Sequence, residues 1–133
     1  QFLFGSLLRL GRLDVALPAH SRPIAAPAEP LRQAVVALVQ NAFDASSADQ
    51  AVLLTVQEQP GGVRLEVVDH GHGMAPDTAA RAGEPFFTTK PYGAGLGLGL
   101  FLARAFADQM GGTLTVQSVV GHGTSVVLEL PAR

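Results

Sequence analysis

The stretch AVLLTVQEQPGGVRLEVVDH, residues 51–70, decides the fold class because it predicts two neighbouring strands. Residues 51–59 and 62–70 are rich in Val, Leu and Thr, which suit the pleated backbone of a strand. Pro60-Gly61-Gly62 lies between them, and Pro followed by Gly is typical of a tight turn. We therefore predict a β-hairpin in the middle of the chain.

Helices are predicted on both sides of this hairpin. Residues Glu29–Ser46 have Pro30 in the first turn and an apolar stripe at helical spacing, which consists of Leu31, Val35, Leu38, Val39 and Ala42. Residues Leu96–Met110 predict a second helix, and Gly111-Gly112 ends it.

Three more strands and a long loop complete the predicted order of elements. The strands lie at residues 12–18, 112–120 and 124–131, and the last two are joined by Gly121-His122-Gly123. Residues 71–95 predict a long loop with one short helical turn, and such loops often carry function. Residues 1–11 have the pattern of the end of a longer helix. This order predicts an α+β fold, a two-layer α/β sandwich with a mixed sheet and helices on one face.

The composition excludes several classes of protein. The chain has 133 residues, of which 47% are hydrophobic and 15% charged, as in a globular domain with a core. The formal net charge of −2 gives no sign of a nucleic-acid or membrane surface. The chain has no cysteine, so disulfides and thiolate metal sites are excluded, and this suits a reducing compartment. The apolar run at residues 94–103 has about half the length that a bilayer span needs.

The glycine-rich stretch PFFTTKPYGAGLGLGLFL, residues 85–102, matches neither common phosphate-binding motif. Lys90 is the only lysine and Pro91 follows it, so a P-loop is absent. The spacing also lacks the third glycine of a dinucleotide fingerprint. The glycines lead into a helix, and a helix N-terminus favours an anion. From the residues alone, phosphate binding and a plain flexible loop both stay open.

Two polar residues could belong to the same site. Asp69 ends a predicted strand, where its carboxylate could accept from an exocyclic amine or cap its own turn. Asn41 lies on an apolar helix face, which costs stability unless the amide is satisfied. A metal–phosphate oxygen or a buried hydrogen bond would each satisfy it. Asp44 lies three residues further on, near the same helix face.

Five segments in this order resemble the boxes of the sensor histidine kinase catalytic domain, within the GHKL superfamily. They are LVQNAFDA (38–45), DHGHGM (69–74), PFFTTK (85–90), GAGLGLGL (93–100) and GHGTSVVLELP (121–131), which resemble the N, first G, F, second G and last G boxes. The resemblance covers the chain from about residue 12 onward. It implies that residues 12–133 are a catalytic ATP-binding domain, and that residues 1–11 are the remnant of a helix linking it to a dimerisation domain.

The resemblance also implies a role for each matched residue. Asn41 would ligate the Mg²⁺ that bridges the ATP phosphates, and Asp69 would accept from the adenine amino group. Gly71 and Gly73 would let the chain pass close to the purine, and Thr124 would support the adenine site through water. The other implied nucleotide contacts are Asp44, Met74, Phe87, Thr88, Thr89, Lys90, Gly95, Leu96, Gly97, Leu98 and Gly99.

A lid over the nucleotide is implied for residues 75–95, with Phe86 and Phe87 as its anchors. Lys90 and the glycine amides that precede the second helix would contact the phosphates, so Lys90 and Asn41 are the implied catalytic residues. Positioning and charge neutralisation would then supply most of the catalysis.

Two positions depart from the wider superfamily. Its hydrolases, the topoisomerase, mismatch-repair and heat-shock chaperone types, have a catalytic Glu four residues before the Asn, where this chain has Ala37. No carboxylate is present there to activate water, which argues against efficient hydrolysis. Many sensor kinases have an Asn in place of Ala37, which argues for a weaker metal site here. Many also have a basic residue in place of Asp44, which leaves more of the phosphate charge to Lys90 and Mg²⁺.

The resemblance implies a protein-histidine kinase that uses ATP and Mg²⁺ as its ligands. Its partners would be its own histidine-bearing dimerisation domain, absent here, and the receiver domain of a response regulator, with no nucleic acid and no direct membrane contact. The domain would be cytoplasmic, in a parent protein attached to the inner membrane. The alternatives are an ATPase module of the hydrolase branch and a degenerate nucleotide-binding interaction module. His70 and His72 flank the implied adenine site, where a surface role is the default and a two-histidine metal site the alternative.

Overall fold

Six strands form one mixed sheet in the computed structural model, which describes residues 4–18, 26–84 and 99–131. The strands follow the order β1-β2-β3-β4-β6-β5 across the sheet. The elements along the chain are β1 (Phe4–Leu10), β2 (Leu13–Pro18), α1 (Ala28–Ala45), β3 (Val52–Gln59), β4 (Gly62–Asp69), α2 (Pro76–Arg81), α3 (Gly99–Gln109), β5 (Thr113–Val119) and β6 (Gly123–Pro131).

The central hairpin predicted from residues 51–70 is confirmed. β3 and β4 pair antiparallel from Leu53↔Val68 to Gln59↔Gly62, so Pro60 and Gly61 form a two-residue loop. Gly61 has a φ of +86°, which the loop requires and which a residue with a Cβ adopts only with strain. The register places Asp69 at the far end of β4 from this turn.

The sheet is mixed because β2 and β3 run parallel, with α1 as the crossover between them. The other four pairings, β1–β2, β3–β4, β4–β6 and β5–β6, are antiparallel. α1 forms where its apolar stripe was predicted, and Leu38 is only 2% exposed. The core lies between one face of the sheet and the helices α1 and α3. The strands contribute Val63, Leu65 and Val67 of β4 and Val126, Leu128 and Leu130 of β6. The helices contribute Ala34, Leu38 and Ala42 of α1 and Ala103, Phe106 and Ala107 of α3. The predicted α+β sandwich is therefore confirmed.

The first residues form a strand, so the prediction of a helix over residues 1–11 is wrong for residues 4–10. β1 pairs antiparallel with β2 from Phe4↔Pro18 to Leu10↔Leu13, and Gly11 and Arg12 make the turn. The apolar spacing there fits a helix as well as a strand, but Gly11 has a φ of +66° and reverses the chain. Pairing with β2 then outweighs the local pattern, and β1 belongs to the same sheet as the other strands.

Arg12, in the turn before β2, fixes the end of α1. Its Nε donates to the Gln50 carbonyl at 3.1 Å, and its Nη2 donates to the Ser47 carbonyl at 2.7 Å. Its guanidinium also lies 4.9 Å from the ring centre of Phe43, in cation–π contact. The loop between α1 and β3 is thereby attached to the turn between β1 and β2.

The loop after β4 is described as far as residue 84, and this part contains the short helix α2, as predicted. Its later part, residues 85–95, lies outside the described residues, as do residues 96–98 of the predicted second helix. The described part of α3 runs from Gly99 to Gln109, and the helix ends before Gly111-Gly112. The glycine-marked end that was predicted for the second helix is therefore confirmed.

Candidate functional site

Asp69 is a carboxylate buried at the end of β4, where it is 5% exposed. Its Oδ1 accepts from the backbone N–H of Gly71 at 2.9 Å and from that of Thr124 at 3.3 Å. Within the described part of the chain, both hydrogen bonds to the carboxylate reach Oδ1. The side chain therefore caps its own turn with one oxygen, while the other has no hydrogen-bond partner among the described residues, so the two predicted roles are compatible.

Thr124 lies beside Asp69, because the two residues are direct partners in the β4–β6 register. Its Oγ1 is 2.8 Å from the Oγ of Ser118, on β5. The Ser118 hydroxyl also receives the N–H of Met74 at 2.7 Å and lies 3.1 Å from the Gly123 carbonyl. This polar network joins the loop after β4 to the ends of β5 and β6.

Ser118 was missed by the sequence analysis, although a signal was present. Leu114, Val116 and Ser118 alternate with exposed residues along β5, so Ser118 is a polar residue at an inward-facing position. Gly123 was predicted only as part of the turn between the last two strands and of the last G box, with no role of its own. A Cβ built there would lie 2.1 Å from the Asp69 carbonyl oxygen, so only glycine lets β6 begin this close to β4.

Gly71 and Gly73 are required by packing within the protein itself. A Cβ on Gly71 would lie 2.0 Å from the Ala45 carbonyl oxygen, at the end of α1. A Cβ on Gly73, whose φ is +73°, would lie 2.1 Å from the carbonyl oxygen of Val119. The His72 N–H donates to the same Ala45 carbonyl at 3.3 Å. The loop after β4 is thus clamped between the end of α1 and the β5–β6 turn, a reason for both glycines that involves no ligand.

Replacing Gly71 by Ala is therefore expected to destabilise the chain by roughly 2–3 kcal/mol in the absence of any ligand. The new methyl group would meet a backbone carbonyl, which cannot move aside as a flexible side chain could. Urea unfolding followed by circular dichroism measures this loss.

Gly99→Ala is the matched control for that measurement. A Cβ at Gly99 would meet the Ala37 Cβ at 3.7 Å, an ordinary contact, and Ala suits a helix better than Gly. This variant should lose no stability. A Gly71→Ala chain as stable as the wild type would show that the glycine is kept for a ligand alone.

Asn41 lies on α1, one turn before Ala45, whose carbonyl meets the loop after β4. Its side chain is partly exposed, and no residue in the described part of the chain hydrogen-bonds to it. The predicted alternative of a buried hydrogen bond is thus not found among those residues. Ala37, one turn earlier, lies beside Gly99, so the first described turn of α3 is next to the same turns of α1.

The neighbouring Asp44 is exposed, and its Oδ1 accepts from the Gln40 Nε2 at 2.9 Å. This bond links two residues of the same helix face.

The structure brings together Asp69, Gly71, Gly73, Met74 and Thr124 at one end of the sheet, with the α1 C-terminus against them. Asn41 and Gly99 lie one to two turns of α1 away from that end. Asp44 lies on the exposed side of α1. The remaining predicted site and lid residues lie outside the described residues, namely Phe86, Phe87, Thr88, Thr89, Lys90, Gly95, Leu96, Gly97 and Leu98.

Three histidines of the loops, His70, His72 and His122, are exposed. The Nδ1 of His72 is 2.8 Å from the Gly73 carbonyl. Among residues 4–18, 26–84 and 99–131, no group of three His, Cys, Asp or Glu side chains could hold a metal ion. These side chains give no support to a metal centre built on histidine.

Arg104 of α3 packs against the turn that follows α2. A Cβ at Gly83, whose φ is +98°, would lie 2.9 Å from Arg104 Nε. That Nε is buried and has no hydrogen-bond partner in the part of the chain that the structure describes. Arg81, on α2, forms an exposed ion pair with Glu84 at 3.2 Å.

The comparisons with known proteins agree on one family. A family model described as histidine kinase-, DNA gyrase B- and HSP90-like ATPase matches residues 26–133. The chain is 37% identical over 138 aligned residues to the two-component sensor PprA of Pseudomonas aeruginosa, covering 97% of this chain and 15% of that protein. It is 36% identical over 110 residues to the sensor histidine kinase ZraS of Escherichia coli, covering 83% of this chain and 23% of that protein.

Solved structures give the same result. The mycobacterial sensor histidine kinase MprB matches with a TM-score of 0.73 and 29% identity, over 83% of this chain and 75% of that one. Full-length ShkA in complex with AMPPNP matches with a TM-score of 0.69 and 36% identity, over 77% of this chain and 21% of that one.

The chain spans about a quarter or less of the length of PprA and ZraS. Of the helices in the described residues, none combines the length and the apolar character needed to cross a membrane. The matched region contains the buried carboxylate, the helix with Asn41 and the glycine-rich start of α3. The chain therefore belongs to the histidine kinase-, DNA gyrase B- and HSP90-like ATPase family, and it is an ATP-binding catalytic domain of the sensor histidine kinase type.

Proposed function

We propose that this chain binds ATP with Mg²⁺ at the ends of β4 and β6 and donates the γ-phosphate to a histidine of a separate dimerisation domain. The observation that carries the proposal is the buried Asp69 carboxylate, whose Oδ1 is fixed by two backbone N–H groups. Those bonds set the direction of Oδ2 before any ligand arrives. A preorganised acceptor in a buried position suits an exocyclic amino group such as that of adenine.

Each residue of the site has a proposed task. Asp69 accepts from the adenine amino group, and Thr124 supports the same edge of the base through water. Gly71, Gly73 and Met74 form the loop that lines this pocket. Residues 75–95 form the lid, in which Phe86 and Phe87 are anchors, and Phe87, Thr88, Thr89 and Lys90 contact the nucleotide.

The phosphates are assigned to the N-terminus of α3 and the residues before it. Backbone N–H groups at a helix start are unpaired within the helix and favour an anion. In support, the described part of α3 starts at Gly99, which lies beside Ala37, one turn of α1 before Asn41. Gly95, Leu96, Gly97 and Leu98 complete the proposed phosphate contacts, together with Lys90 as a point charge.

Asn41 fits the magnesium ion that the family implies. Its amide oxygen is a hard ligand on a partly exposed side chain with no partner among the described residues, and Mg²⁺ in nucleotide sites takes one or two protein oxygens. Bound there, the ion would neutralise negative charge on the phosphates. Asp44, three residues after Asn41 on α1, would adjust the charge near them, and it accepts a hydrogen bond from Gln40.

The hydrolase branch of the family is disfavoured by the residue at position 37. Ala37 has no group that could activate a water molecule, and it contacts Gly99 at the start of α3. Steady-state release of phosphate by the chain alone would revive an ATPase module. Absence of any nucleotide binding would revive a degenerate interaction module.

The partners and location follow from the same proposal. The whole protein would carry its own histidine-bearing dimerisation domain and pass the phosphate to the receiver domain of a response regulator. The catalytic domain would lie in the cytoplasm, with the parent protein attached to the inner membrane. The assignment of residues 1–11 to a link toward the dimerisation domain stays a prediction, although residues 4–10 form a strand.

Mixing this chain with the dimerisation domain of its parent protein tests the proposed function. With labelled ATP and Mg²⁺, the dimerisation domain should acquire acid-labile, base-stable phosphate on histidine. Omitting this chain should abolish the label. Steady phosphate release without any labelled histidine would overturn the assignment.

A further inference from the structure

Arg104 of α3 lies against the turn that follows α2, where its charge has no partner among the described residues. A Cβ built on Gly83 would lie 2.9 Å from the Arg104 Nε and 3.1 Å from its Cζ, so the guanidinium group covers the place where a side chain would begin. The Nε is buried, and no described residue hydrogen-bonds to it. A buried donor on a charged group destabilises the fold when it stays unpaired.

The sequence limits which groups of this chain can pair with Arg104. The chain has 11 Asp and Glu residues, and all of them lie in the part that the structure describes. Arg104 takes part in none of the ion pairs between described side chains, which are Arg32–Glu29, Arg64–Glu66 and Arg81–Glu84. A partner from this chain must therefore be one of these carboxylates in another side-chain conformation.

Glu84 is the acidic residue next to the contact between Arg104 and Gly83. It follows Gly83 directly, and consecutive Cα atoms are about 3.8 Å apart, so rotation of the Glu84 side chain brings its carboxylate within reach of Arg104. In the structure its Oε1 accepts from the Arg81 Nε at 3.2 Å, and both side chains are more than half exposed. Such an exposed pair contributes little stability, because water and salt screen it. Glu84 can therefore exchange Arg81 for Arg104 at little cost.

Glu84 and Arg104 belong to two segments that both lead to the proposed nucleotide site. Glu84 lies at the end of the segment that runs from the loop after β4 through α2, and Arg104 lies on α3, whose start is assigned to the phosphates. A nucleotide that contacts both segments fixes their relative position. Because pairing satisfies a buried donor, the ion pair gives the bound state a contact that the unbound state lacks.

We propose that Arg104 and Glu84 are positioning residues for the proposed reaction. With nucleotide bound, Glu84 leaves Arg81 and pairs with Arg104, which fastens the turn after α2 to α3. The inference rests on the proposed function, since the nucleotide is what selects the paired state. Both side chains act through the turn and need no contact with the nucleotide or the reacting atoms.

A double-mutant cycle on the affinity for AMPPNP with Mg²⁺, measured by isothermal titration calorimetry, tests the pair. Glu84→Gln removes the negative charge, and Arg104→Met removes the positive charge but keeps the apolar stem that packs against Gly83. Each variant should weaken binding by about five- to tenfold, between the worth of an exposed ion pair and that of a charged hydrogen bond. The double variant should bind no more weakly than either single variant, because both changes remove the same contact.

Three comparisons separate this role from packing alone. Arg104→Lys keeps the charge and should retain most of the affinity that Arg104→Met loses. In urea unfolding without nucleotide, the effects of Glu84→Gln and Arg104→Met should add, because the pair is then not formed. The exposed pair Glu29–Arg32 on α1 is the matched control, and Glu29→Gln and Arg32→Met should leave the affinity unchanged.

The results that overturn the inference can be told apart from failure of the proposed function. Affinity losses that add in the double variant, or equal binding by Arg104→Lys and Arg104→Met, would remove the ion pair and leave the nucleotide site in place. Glu84 is exposed, so an unchanged affinity in Glu84→Gln overturns the pair even where Arg104→Met folds poorly. A wild-type chain that does not bind AMPPNP would overturn the proposed function, and the ion pair with it.

Discussion

Replacing Asp69 by Asn is expected to weaken ATP binding by at least about tenfold and up to roughly a hundredfold, the worth of a hydrogen bond to a charged group. The Asn side chain keeps an oxygen that can accept from Gly71 and Thr124, so the turn after β4 stays capped. Its nitrogen replaces the other carboxylate oxygen and would meet the adenine amino group as donor against donor. The loss should thus appear in affinity and hardly in stability. Calorimetric titration with AMPPNP and Mg²⁺ measures the affinity.

Asp108→Asn is the matched control for this experiment. Asp108 is an exposed residue near the end of α3, and the same loss of one negative charge occurs there. It should leave the affinity unchanged. Equal binding by Asp69→Asn and the wild type would show that the buried carboxylate does not contact the base.

Replacing Asn41 by Ala is expected to remove most of the dependence of nucleotide affinity on magnesium. The amide oxygen is the one protein ligand proposed for the ion, and even supporting groups around a metal are worth about 10- to 100-fold in metal affinity. Titrations with AMPPNP at zero and at saturating Mg²⁺ measure this dependence. The affinity without the ion should change little, since Asp69 and Thr124 would still hold the base.

Gln40→Ala provides the comparison, because it removes an adjacent amide that is bonded to Asp44 on the same helix. Its response to Mg²⁺ should match that of the wild type. A full magnesium response in Asn41→Ala would assign the ion to another residue and remove Asn41 from the catalytic pair.

Much of the fold could be predicted from local patterns. The hairpin at residues 51–70 has its turn marked by Pro60 and Gly61, and α1 has an apolar stripe of helical period, so both formed where expected. The strand β1 was missed because spacing alone fits either state there. Only its pairing with β2, a contact within the folded chain, decides between them.

The candidate site, like the fold, could be predicted from the sequence only in part. Asp69 and Asn41 were predicted as candidates from their residue types and positions, and Thr124 was added because the order of the segments resembles a known family. Ser118 was not, because its importance depends on Met74, Gly123 and Thr124 meeting it in space. The sequence also could not show why position 71 requires glycine. The carbonyl that leaves no room for a Cβ there belongs to Ala45, which lies 26 positions earlier in the chain.

The central claim is that the nucleotide binds at the end of the sheet where β4 and β6 meet the loop after Asp69. Amide NMR of the labelled chain, with AMPPNP and Mg²⁺ added stepwise, tests it most directly. The account predicts saturable shifts of Gly71, Gly73 and Thr124, with little change at Gly61 in the turn at the opposite end of β4. Shifts concentrated near Gly61, or none at Gly71 and Thr124 at saturation, would contradict it.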